Sequence, residues 1–136
     1  MTRPVNDLLG IRNIEWTGDA ATGHLRLLDQ TRLPGETAYL DCRTVQDVWD
    51  AIKRLSVRGA PAIGIAAAFG CVVGAQGARD EDDAREALQR AADHLATSRP
   101  TAVNLFWALE RMKRVSPCTA DALLTEAKAI HAEDAQ

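Results

Sequence analysis

An arginine, a glycine and a proline stand immediately before a long run of small apolar residues, in the segment VRGAPAIGIAAAFG at positions 57–70. Pro61 suits the first turn of a helix, where the N–H group that proline lacks would find no acceptor within the helix. A helix start presents free N–H groups and about half a positive charge, which favours an anion. Gly59 lets a ligand approach the backbone, and Arg58 can grip a phosphate or a vicinal diol. The pattern predicts a phosphate or sugar-phosphate site.

A second arginine precedes another predicted helix, in the segment SRPTAVN at positions 98–104. Arg99 lies beside Pro100, so a guanidinium again stands next to the N–H groups of a helix start. Two arginines at two helix starts suit one anionic ligand. The structural alternative is that Gly59 ends a loop, that Pro61 only starts a helix, and that both arginines are solvated surface residues.

Length, composition and charge limit the class of protein. The chain has 136 residues, of which 46% are hydrophobic, so it can build one core and is predicted to form a single domain over 1–136. A net charge of −3 gives no general attraction to nucleic acid or to an anionic membrane. No apolar run approaches the roughly 20 residues that span a bilayer, and the N-terminus lacks a signal-peptide pattern. We therefore predict a cytoplasmic protein without nucleic-acid or membrane partners.

The cysteines and histidines are too scattered to predict a metal site or a disulfide framework. They are Cys42, Cys71, Cys118, His24, His94 and His131. No C-x-x-C pair and no H-E-x-x-H spacing occurs among them. We expect the cysteines to be reduced packing residues, and we expect neither a metal nor a cofactor.

Three short β-rich runs open the chain: IRNIEWT at 11–17, HLRLLDQ at 24–30 and TAYLDC at 37–42. The segment GDAATG between the first two is typical of a hairpin loop. In LPGE, Pro34 and Gly35 are typical of a type II turn, with a positive φ at Gly35. The pattern predicts a three-stranded antiparallel meander within 1–43.

The rest of the chain, 44–136, is predicted to form about five helices. Thr44 and the acidic Asp47 resemble a capping box at the first helix, which should end near Ser56. The run at 62–73 is apolar on every side, as expected of a helix buried all round. Apolar residues at helical spacing mark three more helices, around 84–95, 103–112 and from about 119 onward, and the wide apolar surface of the 103–112 helix is expected to be central. The fold class is therefore α+β, a small meander followed by a mostly helical bundle.

Three blocks in this order, GHLRLLDQTRLPGE, VRGAPAIGIAAAFG and SRPTAVNLFWALERM, resemble the N-terminal part of methylthioribose-1-phosphate isomerase. The resemblance extends from Ile14 to about Asp134. The wider superfamily includes ribose-1,5-bisphosphate isomerase and the α, β and δ regulatory subunits of the exchange factor for translation initiation factor 2. The amino-acid sequences of the three blocks resemble the methylthioribose enzyme more than the other members of the superfamily.

The resemblance implies conversion of 5-methylthioribose 1-phosphate into 5-methylthioribulose 1-phosphate in L-methionine salvage. It implies no metal or redox cofactor, and a homodimer for the full-length protein. The family binds its substrate through the R-G-A segment and the arginine of R-P-T-A-V-N, which correspond here to Arg58, Gly59, Ala60 and Arg99.

The chain departs from the family pattern in its catalytic residues. The family's catalytic cysteine lies in a T-H-C-N type segment and its catalytic aspartate further on, both in a C-terminal Rossmann-like domain, and neither segment occurs in this chain. The cysteines of this chain stand in other contexts, so no catalytic residue is assigned. The resemblance thus predicts a substrate-binding N-terminal domain that is inactive alone. It also predicts an exposed apolar patch where the missing domain would pack.

Two alternatives stay open. The chain could be a regulatory or interaction module of the translation-factor branch, which binds partners and need not keep both arginine sites. It could also belong to a ribose-1,5-bisphosphate isomerase, which would require a second phosphate clamp.

Overall fold

The fold is a three-stranded sheet followed by five helices, as the sequence predicts. The computed structural model describes residues 14–32, 34–54 and 60–134, apart from the side chains of residues 60 and 134. The elements are β1 (Ile14–Thr17), β2 (His24–Leu28), β3 (Tyr39–Cys42), α1 (Val45–Lys53), α2 (Ala60–Ala75), α3 (Glu81–Ala96), α4 (Val103–Lys113) and α5 (Ala120–Asp134). The predicted α+β class is confirmed.

The sheet is an antiparallel meander in the order β1-β2-β3. Ile14 pairs with Leu27, and Leu25 pairs with Cys42. These four side chains are buried in the common core, whereas Arg26 between them points to solvent. The alternation gives the sheet one apolar face, and that face lies against the helices.

The loop between β1 and β2 is tied to the end of α2. Gly18 has a φ of +93°, a left-handed conformation that glycine adopts without strain. The side-chain amide of Gln76 donates to the carbonyl oxygens of Ala20 and Gly23, at 3.0 and 2.8 Å. The predicted hairpin is confirmed, and two hydrogen bonds fix it to the helical layer.

The turn after β2 differs from the predicted type II turn. Gly35 does not have a positive φ. The N–H of Glu36 donates to the carbonyl of Arg32 at 3.0 Å, so the closing hydrogen bond spans five residues instead of four. A turn of that width does not place Gly35 at the position where a type II turn needs a left-handed residue, so the prediction for Gly35 was wrong.

The capping box predicted for α1 is present. The N–H of Asp47 donates to the hydroxyl of Thr44 at 3.1 Å, and the Asp47 carboxylate accepts from the N–H of Thr44 at 3.3 Å. Val48 and Ile52 are buried on the core face. The helix ends at Lys53, earlier than the predicted end near Ser56, which lies outside the described residues.

The central helix is α2, which contacts β1, β2 and the other four helices. Every residue from 63 to 73 is buried, which confirms the prediction of a helix surrounded by protein. Its glycines allow close crossings. A Cβ atom added at Gly64 would lie 2.8 Å from the backbone oxygen of Asn104, and one added at Gly74 would lie 2.5 Å from the Cβ of Ala91.

Helices α3 and α5 bury the predicted stripes, whereas α4 is only half covered. The confirmed residues are Ala84, Leu88, Ala91, Ala92 and Leu95 of α3, and Leu123, Leu124, Ala127 and Ile130 of α5. On α4, Leu105, Leu109 and Met112 are buried. Val103, Phe106 and Trp107, one turn apart on the opposite face, are 78%, 40% and 52% exposed. The expectation that this whole surface is central was wrong, because the described contacts of α4 with α2, α3 and α5 leave these three side chains 40% or more exposed.

Candidate functional site

The starts of α2 and α4 lie side by side. Gly64, in the second turn of α2, faces Asn104, in the first turn of α4, and the absence of a Cβ at Gly64 permits this approach. Pro61 is the second residue of α2, so its predicted place in the first turn is confirmed. The helices that follow the two predicted arginine segments therefore begin close together.

The sequence-predicted site residues are only partly described. Arg58 and Gly59 lie outside the described residues. Ala60 is the first residue of α2. Arg99 lies in the bend between α3 and α4, is partly buried, and accepts a backbone hydrogen bond from the N–H of Ala102 at 3.0 Å. Its guanidinium makes no hydrogen bond or ion pair with any other described residue.

The start of α4 carries no side-chain cap. Its N-cap residue is Ala102, whose side chain cannot accept a hydrogen bond. By contrast, the side chains of Thr44, Asp80 and Thr119 accept from backbone N–H groups at the starts of α1, α3 and α5. The first N–H groups of α4 therefore have no capping side chain beside the Arg99 bend.

A groove of about 350 Å³ lies where α2 and α4 begin and α5 ends. Its described lining is Pro61, Gly64, Ile65, Asn104, Trp107, Ile130 and Glu133. The volume falls within the roughly 300–1,000 Å³ of small-molecule sites. The wall is mostly apolar, with one amide and one carboxylate as polar groups. The first two turns of α2 and of α4 contribute to it, whereas Arg99 is not among the described residues that line it.

The carboxylate of Glu133 is held by Arg111 of α4. The Arg111 guanidinium donates to both oxygens of Glu133, at 2.8 and 2.5 Å, and to Glu126 at 2.5 Å. It also lies over the Trp107 ring, 5.5 Å from the ring centroid. The hydrogen bonds from Arg111 hold the pKa of the Glu133 carboxyl below its usual range. One guanidinium is shared by two carboxylates, so the cluster carries a net negative charge at the edge of the groove.

We did not predict from the sequence that Asn104, Trp107 or Glu133 would line a binding groove. Asn104 was part of the R-P-T-A-V-N block, and its place in that block, five residues after Arg99, was the available signal. Trp107 was assigned to the core. Glu133 joins the groove only because α5 packs against α4, and its sequence neighbours give no signal for that contact.

The three cysteines are buried and free, as predicted. Burial raises the pKa of the Cys42 and Cys71 thiols to about 12, and it also raises the pKa of Cys118. These thiols stay protonated at neutral pH, and none of them lines the groove. They are therefore unsuited to supply a reactive thiolate.

Two further observations concern the described ranges 14–32, 34–54 and 60–134. They contain no cluster of three or more histidine, cysteine or acidic side chains that could hold a metal ion. None of the helices within them has the length and apolar character needed to cross a membrane.

Comparison with known proteins gives consistent matches. Residues 56–136 match the Initiation factor 2 subunit family. The chain is 50% identical over 137 residues to a methylthioribose-1-phosphate isomerase of Alkalilimnicola ehrlichii, an alignment that covers 96% of the chain and 38% of that protein. It is 50% identical over 122 residues to a 5-deoxyribose 1-phosphate isomerase of Moorella thermoacetica, covering 82% of the chain and 35% of that protein. The chain thus spans little more than a third of the length of either relative.

The fold is also similar to that of a solved structure, the delta subunit of translation initiation factor eIF-2B from A. fulgidus. The TM-score is 0.81 at 40% sequence identity, and the match covers 90% of the chain and 37% of that structure. The relatives of this chain thus include proteins named as isomerases and one named as a translation-factor subunit. The fold alone does not decide between these functions, so the assignment of a function depends on the residues of the site.

Proposed function

This chain belongs to the Initiation factor 2 subunit family, and from that premise we propose that it is the substrate-binding domain of a sugar-phosphate isomerase. The reaction is the conversion of 5-methylthioribose 1-phosphate into 5-methylthioribulose 1-phosphate, a step of L-methionine salvage in the cytoplasm. The observation that carries the proposal is that α2 and α4, the helices that follow the two arginine segments, begin side by side at one groove. The 50% sequence identity to two proteins named as isomerases of sugar 1-phosphates supports the proposal.

In this proposal the 1-phosphate binds between the starts of α2 and α4. Arg99 supplies a guanidinium that is free among the described residues, and its bend leads into α4, whose first N–H groups have no side-chain cap. Arg58, Gly59 and Ala60 supply the matching contacts at the start of α2, as the resemblance implies. A phosphate placed there accepts charge-assisted hydrogen bonds from both sides, which are stronger than bonds between neutral groups.

The acid and base that open the ring and move hydrogen between C1 and C2 are proposed to come from a C-terminal Rossmann-like domain. The exposed face of Val103, Phe106 and Trp107 borders the groove and is the proposed contact for that domain. Such a contact would bury apolar surface and exclude water from the substrate. The full-length protein is proposed to form a homodimer, without metal or redox cofactor.

The proposal predicts that the purified 136-residue chain does not isomerise 5-methylthioribose 1-phosphate. An acid and a base each contribute roughly 100-fold to 10,000-fold, and binding arginines cannot replace them. The measurement is formation of the ketose product over time, with the longer Alkalilimnicola enzyme assayed in parallel. If the chain shows turnover, and if that turnover is lost in an Arg99→Ala variant, the proposal is contradicted. The variant excludes a contaminating enzyme, whose activity would not respond to the substitution.

A regulatory module of the translation-factor branch is the second candidate. Its support is the structural similarity to the A. fulgidus delta subunit. Such a module would bind a partner protein and would have no need of a ligand at the groove. Saturable binding of a sugar phosphate at both helix starts therefore favours the isomerase, whereas the absence of binding favours the regulatory module.

A further inference from the structure

The bend between α3 and α4 carries Arg99 and is tied to the end of α3. The hydroxyl of Thr97 donates to the carbonyl oxygen of His94 at 2.7 Å. The buried hydroxyl of Ser98 donates to the carbonyl oxygen of Leu95 at 2.6 Å. Both bonds reach back only three residues, so they hold the first part of the bend against α3 without fixing it to another helix.

Trp49 of α1 supplies a contact from a distant part of the chain. Its indole N–H donates to the hydroxyl oxygen of Thr97 at 2.9 Å, across 48 residues of sequence. The Trp49 ring also stacks on the imidazole of His94, with the ring centroids 5.6 Å apart. Among the residues that the structure describes, no other side chain from outside α3 and the bend donates a hydrogen bond to residues 97–102. Trp49 therefore connects the bend to α1.

Helix α1 is also the element that leads to the other predicted ligand segment. It ends at Lys53, and Arg58 follows five residues later, outside the described residues. The bond from Trp49 to Thr97 thus joins the part of the chain that precedes Arg58 to the part that precedes Arg99. An arginine that is already held near its binding position loses less conformational freedom when a ligand binds. A bond that restrains the bend should therefore raise affinity.

Resting on the proposed function, we infer that Trp49 is a positioning residue for Arg99 and acts through Thr97. The indole N–H restrains the bend, and the bend restrains the guanidinium that grips the phosphate. Trp49 does not line the groove itself. The Thr97 hydroxyl can serve both neighbours, because it accepts from the indole and donates to His94 at the same time. Removal of the indole N–H or of this hydroxyl should loosen the bend.

The test is the dissociation constant of 5-methylthioribose 1-phosphate, measured by NMR titration of the labelled 136-residue chain. Trp49→Phe keeps an aromatic ring beside His94 but removes the N–H, and should weaken binding about threefold to tenfold, the range for one hydrogen bond. Thr97→Val should weaken binding at least as much. Adding Trp49→Phe to it should cause no more than about twofold further loss, because the bond is already gone. Thr97→Ser keeps the hydroxyl and should bind within about twofold of the unsubstituted chain.

The matched control is Trp16→Phe. Trp16 is also half-buried, and it also donates its indole N–H, to the carbonyl oxygen of Asp19 at 3.1 Å. Its ring stacks on Phe69 with the centroids 5.8 Å apart, much as Trp49 stacks on His94. Trp16 lies on β1 and does not contact the bend, so this variant should change affinity by no more than about twofold.

Three results would overturn the inference while the proposed function stands, because the unsubstituted chain would still bind the sugar. The first is undiminished binding by Trp49→Phe, and the second is an equal loss in Trp16→Phe. The third is full additivity of Trp49→Phe and Thr97→Val, which would show that the two side chains act independently. No saturable binding by the unsubstituted chain would overturn both the inference and the proposed function.

Discussion

Replacing Phe69 with alanine is expected to lower the free energy of unfolding by about 3–5 kcal/mol, the usual cost of removing a buried aromatic side chain. Phe69 is 1% exposed at the centre of α2. Its ring stacks on Trp16 of β1 with the centroids 5.8 Å apart, and it meets His131 of α5 edge-on at 6.0 Å. The side chain thus joins the sheet to the last helix, and its loss leaves a cavity between them.

The measurement is urea unfolding followed by circular dichroism. The chain has only two phenylalanines, which provides a matched control. Phe106 is 40% exposed on the uncovered face of α4. Phe106→Ala should cost less than about 1 kcal/mol, because surface substitutions usually have small effects. Similar losses in the two variants would contradict the described packing of α2.

Replacing Gly64 with alanine is expected to lower the free energy of unfolding by about 1–3 kcal/mol through overpacking. Helix propensity alone predicts the opposite, a gain of about 1 kcal/mol. The close packing of α2 against α4 decides whether the substitution stabilises or destabilises the protein. The added Cβ would lie 2.8 Å from the backbone oxygen of Asn104 and 3.4 Å from the Cβ of Ala108. Backbone cannot move away as a flexible side chain can, so α2 and α4 must separate.

Thermal unfolding compared with Gly35→Ala tests this prediction. No atom lies within 4 Å of a Cβ built at Gly35, and its φ is not positive, so alanine there should change stability by no more than about 0.5 kcal/mol. An increase in stability for Gly64→Ala would show that the two helix starts are further apart than described. The same variant should weaken binding of a sugar phosphate, because it displaces the two starts relative to each other.

Local signals were sufficient for most of the fold. The capping box of Thr44 and Asp47, the hairpin glycines and the helical stripes each depend on residues within about one or two turns, and all are found. The turn at Gly35 was predicted wrongly, because the residue types in LPGE fit several turns and the closing hydrogen bond selects among them.

Two features of the site depend on long-range packing and could not be predicted from the sequence. Periodicity shows that Val103, Phe106 and Trp107 share a face of α4, but it cannot show that this face stays largely exposed in the described structure. The pairing of Glu133 with Arg111 likewise depends on how α5 lies against α4. Of the four predicted ligand residues, Ala60 is the first residue of α2 and Arg99 lies in the bend three residues before the N-cap of α4, whereas Arg58 and Gly59 lie outside the described part of the chain. The ligand role of all four stays a prediction.

Titration of the labelled chain with 5-methylthioribose 1-phosphate tests the central claim most directly. We predict saturable shifts of the backbone N–H signals of Ala60 and Asn104, one at each helix start, with a common dissociation constant. Arg99→Ala should weaken binding at least about tenfold, the loss expected for a charge-assisted hydrogen bond. Arg90→Ala, which removes an exposed arginine from α3, should not change it. Shifts at only one helix start, or none that saturate, would contradict the claim that both segments form one sugar-phosphate site.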